Sequence, residues 1–307
     1  MAGQKDNALR LTNVQFILMM TCCVVVWALA FPFISIALRE LSYINLTIMR
    51  FLVVCIVFII ILLVQSKRFS HLQKRDIFPI FVLGFSGVMV YHLGLNYSEQ
   101  YISASTASLF IATIPLFIVL LAVVFLHEKL TVKKTIGIIL ALFGVIVISA
   151  WGKQDATLEI HYISGAIAVL VAAIMGAVYT IAGKKLLERY SPLSLTIYAM
   201  LLGSLGLIPF ITPSLVHEVT ALSLNTWVAV LFLGVFSTVI GYAIWYVALE
   251  MKTASDLSVY LYCIPVLSTA ISYVFLGEQI TLLFVAGGVL VIIGLIIVNL
   301  KNNNSEP

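Results

Sequence analysis

Charge is scarce in this chain. Of its 307 residues only 10% are Asp, Glu, Lys or Arg and 62% are apolar, against about 25% and about 45–50% in an ordinary soluble domain. So little charge excludes a water-soluble globule and points to a chain solvated by lipid. Cysteine is scarce too: Cys22, Cys23, Cys55 and Cys263 all fall inside apolar runs, which excludes a disulfide framework and leaves no metal-ligand spacing. They read as small buried apolar residues. The sequence contains no G-x-x-x-x-G-K-[ST] phosphate loop, so any transport must draw on a gradient or on exchange. Nor is there a cluster of Asp, Glu or His within reach of the membrane, which a membrane-embedded lipid-modifying enzyme would need. The chain is read as not an enzyme, with no cofactor and no metal.

What is abundant is the apolar run long enough to cross a bilayer, about 20 residues. Ten are expected, at 14–38, 44–64, 77–97, 104–126, 134–150, 162–182, 193–211, 226–249, 255–276 and 282–300, the seventh weakened by Pro209 and Pro213. Lys5 and Arg10 precede the first run, but at about 25 residues it is too long for a signal peptide and reads as an uncleaved span. With the N-terminus cytoplasmic, Lys5, Arg10, Lys67, Arg68, Lys74, Arg75, Lys129, Lys133, Lys134, Lys184, Lys185, Arg189, Lys252 and Lys301 all fall inside, and only Arg39 and Lys153 outside. This asymmetry orients the chain and accounts for the net charge of +4 without an anionic partner such as nucleic acid. Both termini are therefore expected in the cytoplasm, in a multi-pass cytoplasmic (inner) membrane protein.

The stretch Ala104 to Val147 recurs 150 residues later at Ala254 to Ile297 without a gap. The match pairs Ser105 with Ser255, Ser108 with Ser258, Pro115 with Pro265, Glu128 with Glu278, Thr131 with Thr281, Gly137 with Gly287 and Gly144 with Gly294. Recurrence of proline, glutamate and glycine at one offset argues for duplication rather than shared hydrophobicity. Two units follow, residues 1–150 and 151–307, of five spans each. An odd number of spans inverts the second unit relative to the first, the layout of many secondary carriers, which bind substrate near the midplane between the repeats.

Several residues are candidates for that site. Pro115 and Pro265 each free a carbonyl four residues earlier, at Ile111 and Leu261, and so predict hinged cavity helices. Ser105, Ser108, Ser255 and Ser258 share the cavity-facing sides of those helices, or else bond back to their own helix. An aromatic wall is expected from Trp27, Phe31, Tyr179, Tyr242, Trp245 and Tyr246, with Met175 beside Tyr179, and His92 and Asn96 stand at positions equivalent to Tyr242 and Tyr246. His92 reads equally as a proton-linked switch or as a neutral hydrogen bonder. Arg50 is a lone basic residue within a span, a gating candidate by default, although a structural role, reaching outward or pairing with Glu99 or Glu40, is favoured. Glu128 and Glu278 are expected to fix hairpins, and the glycines of the fifth and tenth spans to form a close-packed scaffold seam.

Trp27-Ala28, Arg50 with Phe51-Leu52, and the doubled Pro/Glu/Gly motif together resemble the EamA-type transporters of the drug/metabolite transporter superfamily. The resemblance covers nearly the whole chain. It implies a cavity lined mainly by spans one, three, four, six, eight and nine, and movement of amino acids and other small metabolites, commonly outward. This chain departs from the family's tryptophan-glycine pair, with Trp27-Ala28 in span one and Gly176-Ala177 in span six. The expected function is secondary export of amino acids or similar small amphipathic compounds, with proton or exchange coupling. The first alternative is a sugar-phosphate or nucleotide-sugar carrier, for which only Arg50 and, more remotely, Lys184 or Lys185 could meet phosphate; the second, and weaker, is the membrane-embedded lipid-modifying enzyme.

Overall fold

The computed structural model describes residues 12–65, 69–125, 131–151, 160–254, 257 and 259–299. Every regular element in them is helical. The chain enters through α1 (Asn13–Ala37), opened by a reciprocal cap in which Gln15 N donates to Thr12 Oγ1 and Thr12 N to Gln15 Oε1. It returns through α2 (Tyr43–Gln65). The third run is α3 (Ile77–Gly84), a π segment (Phe85–Val90) and α4 (Tyr91–Ser98). The fourth is α5 (Ala104–Ile111) and α6 (Ile114–Phe125), and the first half closes with α7 (Val132–Trp151).

The second half repeats this plan. Helix α8 (Ile160–Leu186) is followed by α9 (Pro192–Ser204), a 3₁₀ stretch (Leu205–Phe210) and the short α10 (Pro213–Thr220). Next come α11 (Leu224–Leu231), a second π segment (Phe232–Ile240) and α12 (Gly241–Met251). A 3₁₀ turn (Val259–Tyr262) leads into α13 (Cys263–Leu276), and α14 (Leu282–Asn299) ends the fold. Shifted by 150 residues, the first π segment falls inside the second.

Among the described residues seven helices are long and apolar enough to cross a membrane, and three shorter apolar helices occupy the fifth, ninth and tenth expected runs. Large apolar side chains such as Ile60, Leu63, Phe143 and Leu224 point outward, a surface suited to lipid and not to water. In the fourth run 83% of the most apolar window is buried, against 50% or less in the other six long ones, so this run is central to the bundle.

Proline and glycine set the local geometry. The helix breaks at Ala112 and Thr113, just ahead of Pro115, so that the proline stands in the first turn of α6, where its missing N–H has no intrahelical partner to lose. Pro265 likewise stands in the first turn of α13, after the 3₁₀ segment. Glycines bring helices to backbone contact. A Cβ on Gly84 would fall 2.1 Å from the Ala199 carbonyl oxygen, and one on Gly144 2.6 Å from that of Gly287, which joins α7 to α14 in the expected seam.

Polar ties join the two halves at each end. Arg189 Nη1 contacts Asp76 Oδ1 at 2.6 Å while Tyr190 Oη donates to Asp76 Oδ2 at 2.9 Å. At the opposite end Ser42 N donates to Glu218 Oε2 and Ser223 N to Glu40 Oε2. That backbone donor from Ser223 holds the exposed Glu40 carboxyl below its ordinary pKa.

Candidate functional site: a central aromatic cavity

The two π segments shape the middle of the bundle. Where a helix widens to the π repeat, side chains find carbonyls five residues back: Thr238 Oγ1 donates to Leu233 O at 2.8 Å, and His92 Nδ1 donates to Gly87 O at 2.9 Å. Stretches of π geometry within α-helices are frequent at functional sites. Here both border one cavity, through Gly87 of the first and Ser237 of the second.

Trp27 and Phe31 of α1, Tyr91 and His92 of α4, Tyr179 of α8, and Tyr242 and Trp245 of α12 form the aromatic part of its wall. Tyr242 is the hub, with ring centroids 5.5 Å from Trp27, 5.6 Å from Tyr179 and 6.0 Å from His92. Trp245 stands 5.4 Å from Trp27. The rings can approach because glycines face them: a Cβ on Gly87 would lie 2.2 Å from the Tyr179 ring, and one on Gly241 2.5 Å from Trp27 Nε1. The Trp27 indole is oriented by a 2.9 Å hydrogen bond from Nε1 to the Ser237 carbonyl.

The expected site residues divide into three sets. Trp27, Phe31, His92, Tyr179, Tyr242 and Trp245 line the cavity, and Arg50 joins them. Four others stand outside its lining. Asn96 donates from Nδ2 to Thr47 Oγ1 at 2.8 Å, and Tyr246 is fully buried behind Tyr179, stacked at 5.2 Å. Ser108 Oγ donates to Ser105 O of its own helix, and Ser105 Oγ donates to Glu278. Ser255, Ser258 and Glu128 lie outside the described residues.

Pro115 and Pro265 are also off the wall, although Ile111 and Leu261, four residues before them, are on it; because each proline stands in the first turn of its helix, it removes no intrahelical bond and the expected release of those two carbonyls does not occur. Met175 is half-buried beside Gly176, which does line the cavity. Glu278 reaches from the α13–α14 turn in the second half to the start of α5 in the first, accepting from Ala104 N at 2.9 Å and Ser105 N at 3.2 Å. Lys184 Nζ donates to carbonyls of Leu249 and Lys252 at the end of α12 rather than facing the cavity.

Sequence reasoning missed Tyr91, Thr180, Ser237, Ile114 and Ile264. Ser237 was legible in principle, since the 150-residue shift makes it the counterpart of Gly87. The π segments had no signal in composition.

Among the described residues lining the cavity there is one guanidinium, Arg50, and no carboxylate. Arg50 is 2% exposed, with Nε donating to Thr238 Oγ1 at 2.7 Å and Nη2 to Ser237 Oγ at 3.0 Å. Its Nη1, His92 Nε2 and Tyr179 Oη are buried without a hydrogen-bond partner. A cavity so built can bury an apolar group against ring faces and still offers unspent polar atoms.

Comparison with known proteins agrees with this architecture. The pattern of the EamA-like transporter family matches residues 15–150 and again 163–300. An uncharacterized transporter of Archaeoglobus fulgidus is 39% identical over 272 residues, covering 89% of this chain and 94% of the relative. A probable terminal-alkyne amino-acid exporter of Streptantibioticus cattleyicolor is 33% identical over 276 residues, covering 90% of each. The uncharacterized transporter YdfC of Bacillus subtilis is 31% identical over 296 residues, covering 96% and 94%. One solved crystal structure shares the fold at a TM-score of 0.63 and 19% identity, over 93% of this chain and 96% of that one. With its pattern matched once in each half and relatives named as transporters along nearly the whole chain, this protein belongs to the EamA-like transporter family.

Proposed function

We propose that this transporter is a secondary carrier that exports amino acids or similar small amphipathic compounds across the cytoplasmic membrane. Two units, residues 1–150 and 151–307, form inverted five-span repeats, ten spans in all with both termini cytoplasmic, and rock about the cavity to expose it alternately to each side. The observation that carries the reading is the cavity wall itself, aromatic on several sides and supplied with a single fixed charge. Ring faces bury an aliphatic or aromatic side chain and attract an ammonium at about 0.5–2 kcal/mol. A doubly charged phosphate ester would bring two negative charges to one arginine, leaving buried charge unpaired. The relative named as a probable amino-acid exporter supports the same substrate class.

Breaks in α5–α6 and ahead of α13, together with the two π segments, supply places where cavity helices can bend without breaking a regular hydrogen-bond ladder. Counterflow in proteoliposomes tests the reading. Apolar and aromatic amino acids should compete with a labelled member of their class, and sugar phosphates and nucleotide sugars should not. Robust exchange of a phosphorylated sugar with amino acids inert would refute it. For the orientation, single cysteines replacing the exposed Arg39 and Lys252 should label from outside and from the cytoplasm respectively; labelling of both from one side would refute the inverted arrangement.

A further inference from the structure

Arg50 sits within α2 with a guanidinium that stays protonated at any physiological pH. Its two hydrogen-bond partners, the hydroxyls of Ser237 and Thr238, are neutral, and its Nη1 is buried with no partner. Among the described residues no ion pair joins it to a carboxylate: Asp76 is held by Arg189, and Glu99 accepts from Ser35 Oγ at 3.0 Å. A buried cation with free N–H groups and no counter-charge is costly and is retained where an anion completes it.

A second observation points to a ligand rather than to a packing role. His92 lines the same cavity, and because Nδ1 donates to the Gly87 carbonyl, the neutral ring presents Nε2 as a bare acceptor, buried and unpartnered. The cavity therefore holds an unpaired cationic donor and an unpaired acceptor beside an aromatic wall. That set is complementary to a group carrying both a carboxylate and an ammonium.

We propose that Arg50 is the carboxylate anchor of the substrate site, taking the α-carboxylate of a zwitterionic amino acid through Nη1, with the α-ammonium received by His92 Nε2 and the neighbouring ring faces. Ser237 and Thr238, held on the second π segment, fix the guanidinium plane so that one edge is left for the ligand. Arg50 is thus a substrate-binding residue rather than a strut between α2 and the second π segment. This assignment rests on the amino-acid reading above, and the test separates the two.

The full chain in proteoliposomes is assayed for counterflow competition by matched pairs that differ only at the carboxyl group: L-phenylalanine with L-phenylalaninamide, and L-leucine with L-leucinamide, with phenethylamine as the amine alone. Wild type should prefer each acid over its amide by at least about tenfold, which corresponds to about 1.4 kcal/mol. Arg50→Gln should bring each pair to within about twofold, and Arg50→Lys, which keeps the charge but not the fork, should fall between. Should Arg50→Gln fail to fold, the wild-type pairs and Arg50→Lys still decide. Amino acids exchanged as well as their amides by wild type would overturn the anchor and leave the amino-acid reading standing. Phenethylamine competing while both acids are inert, or no member of the panel competing, would overturn both.

Discussion

Trp27 donates its indole N–H to the backbone carbonyl of Ser237 at 2.9 Å, across the boundary between the first half of the chain and the second. The bond ties the start of the cavity wall to the π segment of the opposite repeat and sets the plane on which Tyr242 and Trp245 rest. Replacing Trp27 by Phe keeps a ring and deletes the donor. About 0.5–1.5 kcal/mol of stability should be lost with the bond, plus whatever the stranded carbonyl costs. A Trp27→Phe protein should insert normally, unfold at a lower temperature and transport more slowly; unchanged melting and transport would mean the bond has no such role.

The close approach of Tyr179 to Gly87 makes a steric prediction. A Cβ there would meet the ring at 2.2 Å, and the ring is hemmed in by Tyr242 and by Tyr246 stacked behind it. Overpacking of this kind typically costs about 1–3 kcal/mol. Gly87→Ala should therefore lower both stability and transport, and combining it with Tyr179→Leu should recover stability without recovering substrate preference. Equal transport by Gly87→Ala and wild type would show that the wall yields easily.

Glu278 caps α5 from the other half of the molecule through Ala104 N, Ser105 N and Ser105 Oγ. Removing such a cap costs about 0.5–2 kcal/mol for one side-chain acceptor, and a carboxylate serving several donors lies at the upper end of that range. Glu278→Ala should lower the apparent melting temperature by several degrees, whereas Glu278→Gln, which retains one acceptor oxygen, should lose less. The two substitutions matching wild type in a thermal shift assay would contradict the cap.

Glu99 closes α4 with only 8% of its surface exposed, one oxygen accepting from Ser35 and the other without a partner. Burial pushes its carboxyl well above the ordinary range and the negative Glu278 adds to this, while the Ser35 hydrogen bond and Arg50 pull the other way. The folded protein thus binds this proton more tightly than the unfolded chain. The associated stability is fully present below the unfolded pKa of about 4.3, and it is lost as pH rises through the raised folded value. Stability should fall with rising pH over that window, and Glu99→Gln should flatten the fall and melt later than wild type at pH 8. A steeper fall in the variant would reverse the sign and refute the account.

Much of the fold can be read along the chain, and the reasons are local. Apolar run length specifies where helices cross lipid, because a backbone in hydrocarbon must satisfy its own hydrogen bonds. The recurrence of proline, glutamate and glycine at one offset reveals two related halves, since each constrains backbone or charge in a way leucine does not. Ring-bearing positions such as Trp27, Tyr179, Tyr242 and Trp245 are visible as wall candidates because aromatics and polar groups inside spans must face protein or water.

Which of those candidates meet was decided only in three dimensions. Asn96 lies one turn along the same helix from His92, yet it donates to the Thr47 hydroxyl and stands outside the cavity lining. Tyr246 shares a helix with Tyr242 and is withdrawn behind Tyr179 by stacking. The two π segments, which re-aim Ser237, Thr238 and His92, carry no compositional mark, because widening a helix by one residue per turn depends on what its neighbours press against it. Arg50 shows the division most sharply. Its sequence position predicts a buried charge in need of a partner; only the packing of α2 against the second π segment shows that two hydroxyls take Nε and Nη2 while Nη1 is left without a partner.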